Sequence, residues 1–256
     1  MAKRENNGAS APAKDRAQAS RQLGRAAAVG LTRERIVSAA IDLIDRNGLD
    51  ALTMRELSRQ LDVYPTAIYW HIGGSKADLF SEIAGELTAG MIGPEDICAD
   101  WRDTLRLLFR RFRERVHRHP NAAPLLGAQM QSNGAPNAHW VEIILTALSQ
   151  AGFRDQAMVD AFNALVGGLV GFVTMELAPG PAEQTVEWER SFETRLEELD
   201  EERFPLTRAT LPLMRNRAFV MRWKNGSEAP LDTGFDALLE SLLKGLELRA
   251  AADMAS

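Results

Sequence analysis

A single cysteine, Cys98, stands in 256 residues, so no intramolecular disulfide can form and the thiol content fits a reducing compartment. Long apolar runs are scarce. Residues 1–30 contain none of the signal-peptide kind, and the longest, Ala161 to Leu177, is interrupted by Asn163, Thr174 and Glu176, where a bilayer span needs roughly 20 mainly apolar residues. The expectation is a soluble, cytoplasmic chain with no membrane partner. Strict apolar–polar alternation, the mark of a half-buried strand, is missing, and no fixed-period repeat is present. The histidines His117, His119 and His139 lack a tight ligand spacing with acids on one face, so no metal is expected. No nucleophile, base and acid stand in a recognisable constellation, and neither catalysis nor a cofactor is expected.

What is present is ordinary globular material, 45% hydrophobic and 25% charged, enough for one large domain or two small ones. The net charge of −5 is unevenly spread. Residues 1–30 carry six Lys/Arg against two acids, for +4; residues 31–80 carry six against seven, for −1; residues 81–256 carry eighteen against twenty-six, for −8. The first thirty residues, rich in Ala, Gly, Ser, Asn and Arg, cannot bury enough surface to offset their ordering entropy. They read as a disordered basic arm, either a solvated tail or one that uses Arg16, Arg21 and Arg25 on a phosphate backbone.

From Leu31 onward the periodicity is helical, and the fold class expected is all-α. A first helix over about 32–47 buries Ile36, Ala40, Leu43 and Ile44 and ends at Gly48. Thr53, with Glu56 three residues on, forms a capping-box pattern that opens a second helix to about Leu61. Asp62, Val63 and Tyr64 make a short connection, and Pro65 suits the first turn of a third helix ending near Ile72. Gly73-Gly74-Ser75 breaks the chain before a fourth helix near Lys76. Two short helices joined by a three-residue turn form a helix-turn-helix, in which one helix braces while the next enters a major groove. Leu57, Leu61, Val63, Ile68 and Ile72 are the expected inward set. Arg55, Thr66, Ala67, Tyr69, Trp70 and His71 are left for the outer surface, where their methyls, hydroxyls and cations suit a groove. The competing reading makes Tyr69 and Trp70 core aromatics.

Residues 31–80 resemble the DNA-binding domain of the tetracycline repressor (TetR) family. The matching text is Leu31-Thr32-Arg33-Glu34-Arg35-Ile36, Ala40, Gly48, Leu52-Thr53-Met54-Arg55, Leu57, Leu61, Val63, Thr66, Ile68-Tyr69-Trp70-His71 and Lys76-Ala77-Asp78-Leu79. The resemblance implies that Arg55, Thr66 and Ala67 approach base edges of a double-stranded operator. It places Pro65, Tyr69, Trp70, His71 and Lys76 along the same DNA-facing surface, the last four on phosphates. Two departures stand out: Asp62 fills a turn position where the family usually has glycine, and one extra residue separates His71 from Lys76.

Further helices are expected at about 97–118, 122–131, 137–151, 156–177, 186–202, 206–223 and 232–250, set off by Gly, Pro and Asn breakers. Trp101, Leu105, Leu108, Phe109, Phe112 and Val116 form one stripe, opposed by Arg106, Arg110 and Arg113. Gly167, Gly168 and Gly171 fall in an uncharged helical stretch, which suggests close approach by a neighbour. The acidic run from Glu183 to Glu202 reads as a solvated face or a mobile segment. Through Asp100-Trp101-Arg102, the Arg118-His119-Pro120 helix end, Glu142 with Leu145 and Leu148, Ala151-Gly152-Phe153 and Gly234-Phe235-Asp236, residues 95–250 resemble the ligand-sensing C-terminal domain of tetracycline-repressor-like proteins. That resemblance implies a homodimer through the helices near 156–177 and 232–250; on pattern alone both could sit in the monomer's core. Phe109, Phe112, Met130, Trp140, Phe162 and Phe172 are candidates to line an apolar pocket for an unidentified small-molecule effector, and equally suit a plain core.

The expected layout is therefore an arm at 1–30, a three-helix helix-turn-helix domain at 31–80 and a larger helical bundle for ligand and dimerisation at 81–256. The function expected is a sequence-specific transcriptional regulator, a homodimeric repressor released from a palindromic operator by a ligand. Two alternatives stay open: a nucleoid-associated DNA binder of the same fold without effector, and an all-α enzyme or carrier.

Overall fold

The computed structural model describes residues 30–127, 138–180 and 185–254, and among these it contains helices and no strand. The described chain divides into two compact units, the first ending at Leu79 and the second starting at Phe80.

In the first unit, α1 (Arg33–Asn47) is capped by Thr32, whose hydroxyl accepts from the Arg35 N–H at 3.2 Å. Ile36, Val37, Ala40, Leu43 and Ile44 recur every three or four residues and are buried, the stripe an amphipathic helix must hide. Against it pack α2 (Met54–Leu61) and α3 (Pro65–Ile72). Thr53 caps α2, accepting from the Glu56 N–H at 3.1 Å. The expected capping box closes only on that side, because the Glu56 carboxylate pairs with Arg59 instead. Leu57, Ile68 and Ile72 are buried as expected, whereas Leu61 and Val63, next to the turn, are half-buried. Next comes α4 (Lys76–Thr88), which runs across the unit boundary.

The second unit is built around α5 (Trp101–Arg118), the short α6 (Ala123–Gly127), α7 (Ala138–Gln150), α8 (Asp155–Glu176) and α11 (Asp232–Met254), with α9 (Val186–Glu197) and α10 (Pro205–Met214) between α8 and α11. The α8 helix is central, packing on α11, α6, α7 and α5. Its Ala161, Leu165, Leu169 and Val173 join Leu105, Leu108, Phe109 and Phe112 of α5 and Phe235, Leu239 and Leu243 of α11 in one core. The arginines opposite the α5 stripe pair with acids of the antiparallel α11: Arg102 with Glu247, Arg106 with Glu240 at 2.7 Å and Arg110 with Asp236 at 3.1 Å.

Three expected helices are shorter than their patterns, the 186–202 helix among them, which stops at Glu197. The 97–118 helix starts at Trp101, because Asp100 caps it through the Arg102 N–H at 2.9 Å. The 206–223 helix stops at Met214, just past Pro212, a residue with no N–H to give the ladder. Asn216 then adopts a left-handed conformation (φ +54°), and its Oδ1 accepts from the Trp223 and Lys224 N–H groups at 3.0 and 2.9 Å. These bonds close residues 216–224 into a loop. Of the acidic run, Glu183 lies outside the described residues, and α9 buries no residue fully.

Candidate functional site

The turn between α2 and α3 is made by Asp62, left-handed at φ +53° and ψ +43°. Its N–H bonds the Arg59 carbonyl at 3.3 Å, and the Val63 N–H reaches back to the Ser58 carbonyl at 3.0 Å. Both bonds satisfy carbonyls that the end of α2 would otherwise leave open. Aspartate is among the few L-residues that tolerate this region, which explains how the turn forms without glycine. Pro65 then occupies the first position of α3, where a missing N–H costs nothing.

Ile68 and Ile72, one turn apart, fix the rotation of α3 by entering the core. Thr66, Trp70 and His71 consequently face outward. Trp70 is 91% exposed, so it is not a core aromatic; Pro65, Ala67 and Tyr69 are half-buried at the flanks, and Arg55 of α2 is exposed. The N-terminus of α1 belongs to the same neighbourhood. Glu34 is held below the usual carboxylate range by its own backbone N–H and the Thr32 hydroxyl, with the charges of Arg33 and His71 adding.

The extra residue after α3 is absorbed by two consecutive left-handed glycines, Gly73 at φ +101° and Gly74 at φ +104°, a conformation that any side chain would strain. Ser75 and Asp78 then cap each other. The Asp78 carboxylate accepts from the Ser75 N–H at 2.9 Å and hydroxyl at 2.7 Å, while the Ser75 Oγ accepts from the Asp78 N–H at 3.1 Å. This reciprocal box starts α4 with Lys76 exposed in its first turn.

In the second unit the expected pocket residues separate. Phe109 and Phe112 are fully buried, with Trp140 stacked on Phe112 at 6.1 Å and edge-on to Phe109 at 6.5 Å. The Trp140 Nε1 is buried with no acceptor. Phe162 is half-buried against the core. Phe172 belongs elsewhere, packed edge-to-face on Phe219 at 4.9 Å and Phe235 at 5.8 Å. Met130 lies outside the described residues.

One charged group was read in the sequence only as an interruption. Glu176, closing α8, is wholly buried. Its carboxylate accepts from Arg113 at 2.7 and 2.9 Å, bonds His117 Nε2 at 3.1 Å and accepts from the Leu231 N–H at 2.7 Å. Burial by itself would raise its carboxyl; the bonds from Arg113, His117 and Leu231 prevail and hold it at about 2. Arg113 also pairs with Asp232 at 2.8 Å and lies over the Phe235 ring. The hub therefore ties α5, the end of α8 and the start of α11 together. Its sequence signal was a lone acid ending an uncharged helical stretch, which does not tell where a partner lies.

Comparison with known proteins follows the same division. Residues 36–83 match the family model for bacterial regulatory proteins of the tetR family, and residues 94–250 match that for the tetracyclin repressor-like C-terminal domain. An HTH-type transcriptional regulator from Saccharopolyspora erythraea is 33% identical over 148 residues, covering 57% of this chain and 61% of its own length. The class A tetracycline repressor protein from transposon 1721 in Escherichia coli is 31% identical over 147 residues, covering 56% and 66%. The chain thus spans less than two thirds of both curated relatives. Among solved structures, the TetR family protein ActR of Streptomyces coelicolor, in complex with actinorhodin, superimposes with a TM-score of 0.62 at 22% identity, over 84% of this chain and 98% of its own.

Proposed function

The chain belongs to the tetR family of bacterial regulatory proteins, and from that premise we propose that it is a homodimeric repressor. On this reading it grips a palindromic operator and releases it when a small molecule occupies the second unit. The family is one of regulators, not enzymes. The observation that carries the reading is the outward face of α3: two buried isoleucines hold Thr66, Trp70 and His71 in the open, and Arg55 and Lys76 are exposed as well. In this proposal Arg55, Thr66 and Ala67 read base edges while Pro65, Tyr69, Trp70, His71 and Lys76 track the backbone. Residues 31–80 then do the DNA work and 81–256 the sensing and pairing, in the cytoplasm.

Dimerisation through α8 and α11 is supported by what the monomer leaves uncovered. Of the three α8 glycines only Gly168 is approached closely, by Leu242 of α11 at 3.1 Å from where a Cβ would stand; Gly167 and Gly171 face open space. Val159 and Met175 on α8 and Leu248 on α11 are exposed. By length and composition α8 could cross a membrane, but its inner face is the core of the unit, and the uncovered apolar strip suits a second copy better. A two-fold dimer would also set two recognition helices about one DNA turn apart.

For the effector, the buried Trp140 indole N–H without an acceptor, set against Phe109 and Phe112, supports an apolar site needing one hydrogen-bond acceptor. A protein of this fold holds actinorhodin. Coupling requires only that the ligand prefer the conformer that does not fit the operator.

The test is sequence-specific affinity for a genomic fragment selected by the purified protein. The Arg55→Ala, Thr66→Ala double variant should bind it at least tenfold more weakly, since a good base contact discriminates by about 1–3 kcal/mol. Unchanged specific affinity would move the reading surface elsewhere.

A further inference from the structure

Tyr64, the last residue of the turn into α3, is neither a core residue nor one of the groups assigned to the DNA surface. It holds the cap position before Pro65, in extended backbone at φ −78° and ψ +146°. The side chains favoured there are short and polar, because they can accept a first-turn N–H. The Tyr64 phenol makes no such bond, and its hydroxyl bonds no other group among the described residues.

Packing does not account for the residue either. The core beneath the turn is closed by Leu57, Ile68 and Ile72, while Tyr64 is 53% exposed. Its contribution to the turn is made by its backbone, whose carbonyl accepts from the Ala67 N–H at 2.9 Å, a bond that any residue could supply. A large aromatic that neither caps nor packs leaves most of its apolar face to whatever meets this end of the helix.

Position decides what that is. The N-terminal residues of a recognition helix meet base edges, whereas contacts to the phosphates fix register and orientation. Tyr64 stands at that end, directly before Pro65, Thr66 and Ala67, with Trp70 and His71 more than a turn further along α3. A neutral phenol has little pull on phosphate. Its apolar ring face matches the apolar group that a base pair shows in the major groove, the thymine 5-methyl.

Resting on the reading of α3 as the recognition helix, we propose that Tyr64 is a specificity-determining residue, its ring packed on the 5-methyl of a thymine at one position in each operator half-site. The ring makes the discrimination and the hydroxyl is dispensable.

Selection from a randomised duplex library by the full-length protein, followed by affinity measurements on the selected site, tests this. The parent should demand T·A at a position where Tyr64→Ala accepts all four base pairs, with the other positions unchanged, and Tyr64→Phe should keep the demand. Uracil in place of that thymine removes only the methyl; it should weaken the parent about fivefold or more, the low end of a single mismatch, and leave Tyr64→Ala unaffected. Tyr64→Ser should relax the same position with a Tm equal to or above the parent's, since serine can take up a first-turn N–H. Unchanged base preferences in Tyr64→Ala, equal weakening on every sequence, loss of the preference in Tyr64→Phe, or a parent indifferent to uracil would each overturn the proposal. If the Arg55→Ala, Thr66→Ala pair alters the selected site and Tyr64→Ala does not, the reading of α3 stands and this inference falls. A parent that selects no sequence removes the reading of α3 itself.

Discussion

Glu176 shows how far one side chain can depend on what surrounds it. Its carboxyl is depressed to about 2 from an ordinary 4.5, so its stabilising contribution is fully present above pH 4.5 and is lost as pH falls through about 2. The shift corresponds to about 3 kcal/mol. Chemical denaturation of the parent should show stability falling over that window, and Glu176→Gln should be destabilised by about 3 kcal/mol at pH 7 with the fall in that window largely gone. An unaltered pH profile in the variant would assign the acid sensitivity to other carboxylates. Asp62 is the opposite case, a residue whose strain is local. Asp62→Gly relieves a left-handed aspartate (φ +53°) and should raise stability by up to about 1 kcal/mol in urea titrations, because no partner of the side chain is lost with it.

Among the elements, α3 was legible because two isoleucines four residues apart fix its rotation, and a period of 3.6 then dictates which side chains point out. The junction into α4 was not. The sequence shows one residue more than the family pattern, but the Ser75 and Asp78 cap that accommodates it depends on backbone conformation at Gly73 and Gly74. The end of α10 was missed for a related reason: apolar periodicity continues past Met214, and a single Asn216 side chain bonding two backbone N–H groups outcompetes it. For α8, Gly171→Leu should leave the monomer's stability within about 1 kcal/mol, since no described atom outside the helix's own backbone lies within 4 Å of where its Cβ would stand, yet shift the protein toward monomer in sedimentation. A fully dimeric variant would show that α8 pairs through another face.

For the whole molecule, the net charge of −5 argues against long-range attraction to DNA and leaves affinity to local contacts. Binding should therefore weaken linearly in log–log plots against salt, and Lys76→Ala should reduce the slope by about 2 per dimer, one phosphate contact from each half-site. An unchanged slope would take Lys76 off the backbone. By itself the sequence determined the all-helical class, the helix-turn-helix and the exposure of Thr66, Trp70 and His71 on α3, because each follows from periodicity, caps and turn chemistry within a span of twenty residues. Only the tertiary structure decided that Phe172 packs on Phe219 and Phe235, away from the Phe109, Phe112 and Trp140 group, and that Glu176 is a buried hub. Those facts join residues far apart in the chain, Glu176 to Leu231 and Arg113 among them, and no local pattern records which distant groups will share a low-dielectric interior.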